Sequence, residues 1–198
     1  LRVRTLDGGV ASWIEVGTGE SLAGPTAAVV LSNDTPRVAA VSDSPTSLLI
    51  YQGIVGQSDV YFVETSCGEG DVAPDAIVTG AARGYEYCFF TQTTSGKLKS
   101  CPANLDATGP AFEGAAAAVA YSGPETGATV YTVLLRVANG DVVQADYLGG
   151  CGSPPSWTDH GSPPGAGGVS SGRYSVGAAL FQADKEADTQ IRLVVAAN

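Results

Sequence analysis

The chain has 198 residues, a formal net charge of -10, 26 glycines, 11 prolines and only 15% charged residues. That length buries one substantial core, and a hydrophobic content of 44% excludes a disordered chain. The negative charge repels phosphate backbones and anionic lipids, which argues against nucleic acid and membrane as partners and leaves neutral or basic ligands open.

From the N-terminus, short apolar runs alternate with turn signals: VASWIEV, TAAVVL, RVAAVS, SLLIYQ and DVYFVE, then AIVTGA, YEYCFF and AAAAVAY, and finally TVYTVLLRV, DVVQADY, VGAALF and IRLVVAA. Runs of this length, without a long amphipathic stretch, predict an all-β domain. DGG at 7–9, SGK at 95–97 and NGD at 139–141 each fall between two runs, where a tight hairpin is the natural connection. AAAAVAY at 115–121 is strand-sized and far short of the about 18 apolar residues that cross a membrane as a helix. The Gly/Pro/Ser-rich stretch 149–172 reads as a long surface loop held at one end by Cys151.

Small-residue strands that open after a glycine recur as AGPTAAVV from 23, EGAAAAVAY from 113 and VGAALF from 176, with DAIVTGAA from 75 a weaker fourth. Their mean interval is roughly fifty residues, the length of a propeller blade. Innermost blade strands crowd around an axis, and small side chains relieve that crowding. The tail IRLVVAAN reads smoothly into the head LRVRTLDGGVASWIEVG, so the two ends would complete one blade and remove two exposed edges. The expectation is a single all-β domain over 1–198, a small β-propeller of about four blades closed by its N- and C-terminal strands. A β-sandwich is the alternative that the same alternation allows.

Four cysteines, Cys67, Cys88, Cys101 and Cys151, lack the CxxC spacing of zinc and redox sites and read as two disulfides in an oxidising compartment. Chain order suggests Cys67 with Cys88 and Cys101 with Cys151, with all three pairings open. The chain has no methionine, so Leu1 reads as a processed or trimmed start; a removed signal peptide accounts for it, and a secreted, extracellular protein is expected. Asn33-Asp34-Thr35 is an N-glycosylation sequon, followed by Pro36.

The stretch SWTDHGSPPGAGGVSSGRYSVGAALFQADKEADTQIRLVV resembles one repeat of the fungal fucose-specific lectins, which are secreted β-propellers. Their repeats carry a tryptophan-glycine element, a serine-rich turn, a small-residue strand and an IRVYY-like strand. SLLIYQ at 47–52 resembles that last strand and SWIEVG at 12–17 the tryptophan-glycine element. The resemblance implies a sugar held between blades by an arginine of the IRVYY-like strand, a glutamate and an aromatic wall. Arg192 matches the arginine, Trp157 a wall residue and Glu15 the acid. The family uses six blades where this length suits about four, its pattern lacks cysteine pairs, and the second and third repeats here show no matching arginine and glutamate.

Read from the residues, Trp157 sits in a polar, proline-rich setting where an indole either stacks on the C–H face of a sugar or folds back as packing. His160 and Asp159 are sequence neighbours rather than facing partners, and no GxSxG elbow occurs, so a solvated loop histidine is expected. Glu15, Glu64, Glu86, Glu113 and Asp146 lie on or next to apolar strands, and paired glycosidase carboxylates would come from this set, though no motif selects one. The acid-rich CGEGDVAPD at 67–75 lacks calcium-loop spacing, and GTGESLAG and GAGG lack a phosphate cradle's lysine and helix, so neither metal nor cofactor is expected. In YEYCFF, Tyr85, Tyr87 and Phe89 share one strand face and Glu86, Cys88 and Phe90 the other. Burial of both faces is the simpler expectation, and a binding wall on one of them the second.

The sequence points to a secreted, acidic, disulfide-stapled and non-catalytic carbohydrate-binding protein. Its partner would be a glycan or another small neutral ligand, and oligomerisation is compatible with that. Trp157, Arg192, Tyr174 and Glu15 are the candidate binding residues. The alternatives are a secreted effector or inhibitor that binds another protein, and a polysaccharide hydrolase using paired carboxylates.

Overall fold

The computed structural model describes residues 2–4, 13–15, 21–43, 46–55, 60–123, 127–162, 174–181 and 190–197. Two short strands, β1 (Arg2–Arg4) and β2 (Trp13–Glu15), pair as an N-terminal ribbon. Three antiparallel meanders of four strands follow. The first holds β3 (Leu22–Val30), β4 (Pro36–Ser42), β5 (Leu48–Val55) and β6 (Val60–Cys67). The second holds β7 (Thr79–Arg83), β8 (Glu86–Gln92), β9 (Leu98–Cys101) and β10 (Leu105–Asp106). In the third are β11 (Phe112–Ser122), β12 (Thr129–Val137), β13 (Val142–Leu148) and β14 (Ser156–Asp159). A second ribbon pairs β15 (Tyr174–Phe181) with β16 (Gln190–Ala197). Every described element is a strand, and each four-stranded sheet runs in chain order, so the domain is all-β with three separate meanders instead of the two sheets of a sandwich.

The first strands of successive sheets are neighbours: β3 lies beside β7, β7 beside β11 and β11 beside β15. These are the four small-residue segments picked out in the sequence, and the packing explains their composition. Gly80 of β7 is the direct partner of Phe89 on β8, and a Cβ added to it would stand 2.6 Å from Phe89 Cδ1 and 3.1 Å from Val29 Cγ1. Both β3 and β11 slip register near their starts, between Ala23 and Thr26 and between Phe112 and Ala116, each across a glycine. The SGK and NGD turns join β8 to β9 and β12 to β13, with Gly96 and Gly140 at φ +79° and +88°. DGG at 7–9 lies outside the described residues.

Alternation along the strands buries each sheet against the next. Ala39, Val41, Leu48 and Ile50 of the first sheet pack with Val78 and Phe89 of the second. On its other side the second sheet presents Cys88, Phe90 and Leu98 to Tyr131, Val133, Ala145 and Tyr147 of the third. Consecutive residues Phe89 and Phe90 are 0% and 1% exposed, so YEYCFF is buried on both faces along that part of the strand. Burying each such side chain contributes about 1.5–3 kcal/mol. The outer faces are covered as well. Val38, Ala40, Leu49 and Tyr51 are buried on the far side of the first sheet, and Thr132 and Leu134 on the side of the third where β12 approaches β15.

Both disulfides join neighbouring sheets, as Cys67–Cys101 and Cys88–Cys151. The pairing suggested by chain order is therefore replaced, and the reason is strand alternation. Cys88 shares a face with Glu86 and Phe90, which points it at the third sheet and away from Cys67 on the first. The bonds close segments 34 and 63 residues apart, and chain-entropy reasoning assigns about 4 kcal/mol to each.

A buried lysine supports the same region. Lys99 Nζ lies 3.2 Å from Asp71 Oδ2, donates to Asn104 Oδ1 at 3.2 Å and pairs with Asp106. Burial by itself would lower the Lys99 pKa, but hydrogen bonds and attraction from Asp106 and Asp71 outweigh it and hold the ammonium above its ordinary value of 10.5. Asp71, the aspartate that begins DVAPD in the acid-rich 67–75 stretch, is thus engaged in an ion pair.

Within the stretch read as a surface loop, Ser156–Asp159 forms the edge strand β14, paired to β13 from Val143 to Asp146. Residues 163–172 lie outside the described residues.

Candidate functional site

The β7–β8 hairpin turns through two residues, Gly84 and Tyr85, and glycine at the first of them supplies the positive φ, +64°, that a tight turn of this kind needs. This brings Arg83 and Glu86 into direct cross-strand register. Partners across a pair of strands project on the same side, so both charges lie on the face that Cys88 and Phe90 turn to the third sheet. The turn itself is tied to the first sheet, where Ser32 N–H donates to Gly84 C=O at 2.9 Å. Tyr85, at the tip, is 73% exposed.

Between this hairpin and the third sheet lies a cleft of about 360 Å³, lined by Tyr85, Glu86, the Cys88–Cys151 disulfide, Pro102 and Tyr131, with Tyr87, Ala103 and Gly150 completing it. Its volume is at the small end of the range for small-molecule pockets, about 300–1,000 Å³. Each wall is fixed by the fold. Tyr131 sits mid-strand on β12 with its ring against Phe90 at 6.5 Å between centroids. Cys151 is tethered by the disulfide and by its carbonyl, which accepts from Ser100 Oγ at 2.7 Å. Pro102 follows a cis peptide bond.

Tyr131 is 0% exposed, and its hydroxyl has no hydrogen-bond partner. An unpaired buried hydroxyl costs about 1–3 kcal/mol. Burial is also the main reason its pKa is pushed up to about 12; the Glu86 carboxylate adds to the rise and the Arg83 guanidinium opposes it. Both charges therefore act at the phenol. The cleft offers the Tyr131 phenol and one carboxylate beside apolar surface from a tyrosine ring, a disulfide and a proline, and the Arg83 guanidinium stands outside its lining, on the strand paired with Glu86. Glu86 is the one carboxylate among its lining residues, whereas glycoside hydrolysis needs two.

The sequence-derived candidates lie on β2, β14, β15 and β16. Trp157, on β14, pairs with Ala145 of β13, is half-buried, and packs onto the cluster between the second and third sheets. Its indole lies so close to Gly109 that a Cβ there would stand 2.0 Å from Cζ2. The ring does not line the cleft. Glu15 lies on β2 opposite Arg2, Tyr174 on β15 opposite Ala197 and Arg192 on β16 opposite Ala179, and their side chains are outside the described set.

His160 Nε2 lies 2.9 Å from Gln144 Oε1, and Asp159 Oδ1 accepts from Gly161 N–H at 2.8 Å, so no Ser-His-Asp arrangement forms there. Asn33 occupies the exposed turn between β3 and β4, where its Oδ1 accepts from Thr35 Oγ1 at 2.6 Å. Among the described residues no group of three or more His, Cys, Asp or Glu side chains is placed to hold a metal ion.

Glu86 was within reach of sequence reasoning as a strand-associated carboxylate, and Tyr85 as part of YEYCFF. Arg83 and Tyr131 were not. The usable signal was the glycine of ARGYEY between two strand runs, because a two-residue turn there makes Arg83 and Glu86 partners. Arg83 and Glu86 do not occupy the positions of the lectin pattern's arginine and glutamate, which the second repeat lacks.

No protein-family model and no curated protein matches the sequence. Among solved structures the chain is similar to AofleA from Arthrobotrys oligospora, with a TM-score of 0.62 at 15% identity over 99% of this chain. It spans 58% of the length of that chain. At such identity the likeness is one of fold, in agreement with the all-β meanders.

Proposed function

We propose that the protein is an extracellular, non-catalytic carbohydrate-binding protein that holds a sugar in the cleft between its second and third sheets. The observation that carries this reading is the cleft that sets Glu86 and Tyr131, whose hydroxyl is unpaired, beside apolar surface from Tyr85, Pro102 and the disulfide, with Arg83 in register with Glu86 at its border. Ring hydroxyls pair with charged and phenolic groups, while C–H faces lie on aromatic and aliphatic surface. The single lining carboxylate supports binding over hydrolysis. The resemblance to the fungal fucose-specific lectins supports the ligand class, two disulfides support an oxidising compartment, and the likeness to AofleA supports the fold.

The same reading includes a closed ring. The ribbons β1–β2 and β15–β16, at the two ends of the chain, would supply a fourth four-stranded blade. Burial of the outer faces of both the first and the third sheets supports a fourth layer between them. Individual sites of this size bind weakly, so oligomerisation would raise avidity.

A glycan array probed with the disulfide-intact protein and with Glu86→Ala tests the reading. Selective binding that is lost in the variant is expected. A blank array, or binding indifferent to Glu86, would overturn it and turn the search to protein partners.

A further inference from the structure

We propose that Tyr131 is the anchoring residue of the cleft, its hydroxyl donating a hydrogen bond to an uncharged hydroxyl or ether oxygen of the bound ligand. This rests on the carbohydrate reading and deepens it by assigning the buried contact and the chemistry it selects.

Packing accounts for an aromatic ring at position 131 but not for a tyrosine. The ring fills the seam between the second and third sheets beside Phe90, on the face that Val133 and Leu135 also occupy. The sequence uses phenylalanine elsewhere in this core, at Phe90 and Phe112. Phenylalanine at 131 would supply the same ring without the unpaired polar group. What tyrosine adds is the hydroxyl, which is buried, unpartnered within the protein, and attached to a residue that lines the cleft. A buried donor with a vacant bond discriminates strongly for ligands that fill it.

The surroundings choose the kind of acceptor. Glu86, lining the same cleft, disfavours a carboxylate or sulfate at this position. The phenol stays protonated through the physiological range, so it donates. An uncharged, hydroxyl-rich ring fits this combination, and a uronate does not.

The test measures Tyr131→Phe beside the unaltered protein for affinity and thermal stability, using the best neutral oligosaccharide from an array and its monodeoxy analogues. Affinity is expected to fall at least tenfold in the variant, with the melting temperature unchanged or raised. One deoxy analogue should lose at least tenfold against the unaltered protein and nothing further against the variant, because hydroxyl and acceptor are then two halves of one bond. Undiminished binding by Tyr131→Phe while Glu86→Ala abolishes it overturns this assignment and leaves the carbohydrate reading standing. A melting temperature that falls with affinity intact gives Tyr131 a structural role and equally overturns it. If the unaltered protein binds no glycan, both statements fall.

Discussion

Arg83 and Glu86 are direct partners in the β7–β8 register, yet they form no ion pair with each other, whereas Lys99 pairs with both Asp71 and Asp106. Two opposite charges held side by side at the edge of a cleft, and not spent on each other, are available to a ligand. Replacing either by alanine is expected to weaken sugar binding by about 1.5–3 kcal/mol, the range for hydrogen bonds to charged groups. Because both side chains are exposed, stability should move by no more than about 0.5 kcal/mol. Titration calorimetry with a thermal melt of each variant checks the pair of statements.

The two disulfides should separate by function. Cys88→Ser with Cys151→Ser removes part of the cleft wall and the tether on the Gly149–Gly152 turn, so both stability, by about 4 kcal/mol, and sugar affinity should drop. Cys67→Ser with Cys101→Ser should cost similar stability, while the folded fraction keeps most of its affinity. Urea midpoints and binding isotherms for the two double variants decide this. Equal losses of affinity would contradict it.

The Trp157 indole lies against Gly109 and packs onto the cluster between the second and third sheets. Gly109→Ala inserts a methyl where the indole lies, with overpacking of about 1–3 kcal/mol, and should shift tryptophan emission without altering sugar affinity. An affinity loss matching that of Glu86→Ala would place Trp157 in the site.

The pH dependence has a definite sign on the alkaline side. Lys99 has a folded pKa above 10.5, so its contribution is complete below that value and disappears as pH rises through the folded pKa. Tyr131, ordinarily near 10, titrates at about 12 in the folded protein, so between these values the unfolded chain releases a proton that the folded one retains. Both effects lower stability as pH rises, and Tyr131 alone accounts for about 2 kcal/mol by pH 12. Urea midpoints that fall between pH 10 and 12, less steeply in Tyr131→Phe, are expected. A flat profile would contradict the assignment.

Much of the fold was legible because its signals are local. Alternation marked the long strands, glycine turns marked two hairpins, and the close approach of the sheets' first strands left its trace in Gly80. Short strands carried too little pattern. β9 is LKSC, a lysine amid apolar neighbours, and its burial depends on Asp71 and Asp106 from other segments. β14 hid in a proline-rich stretch because an edge strand needs only one partner. The site was harder still, since Tyr131 is separated from Glu86 by 45 positions and looks like any strand aromatic until its hydroxyl is seen without a partner. Trp157 drew attention by its rarity and its neighbours, while the space it fills beside Gly109 is set by tertiary packing.

A crystal structure of the protein with the tightest-binding oligosaccharide is the most direct measurement. The predicted result is a sugar ring in the cleft between the second and third sheets, in contact with Tyr85 and Glu86, with one oxygen within about 3 Å of the Tyr131 hydroxyl. A sugar seated at Trp157 or at the β15–β16 ribbon, with the cleft empty, would contradict it.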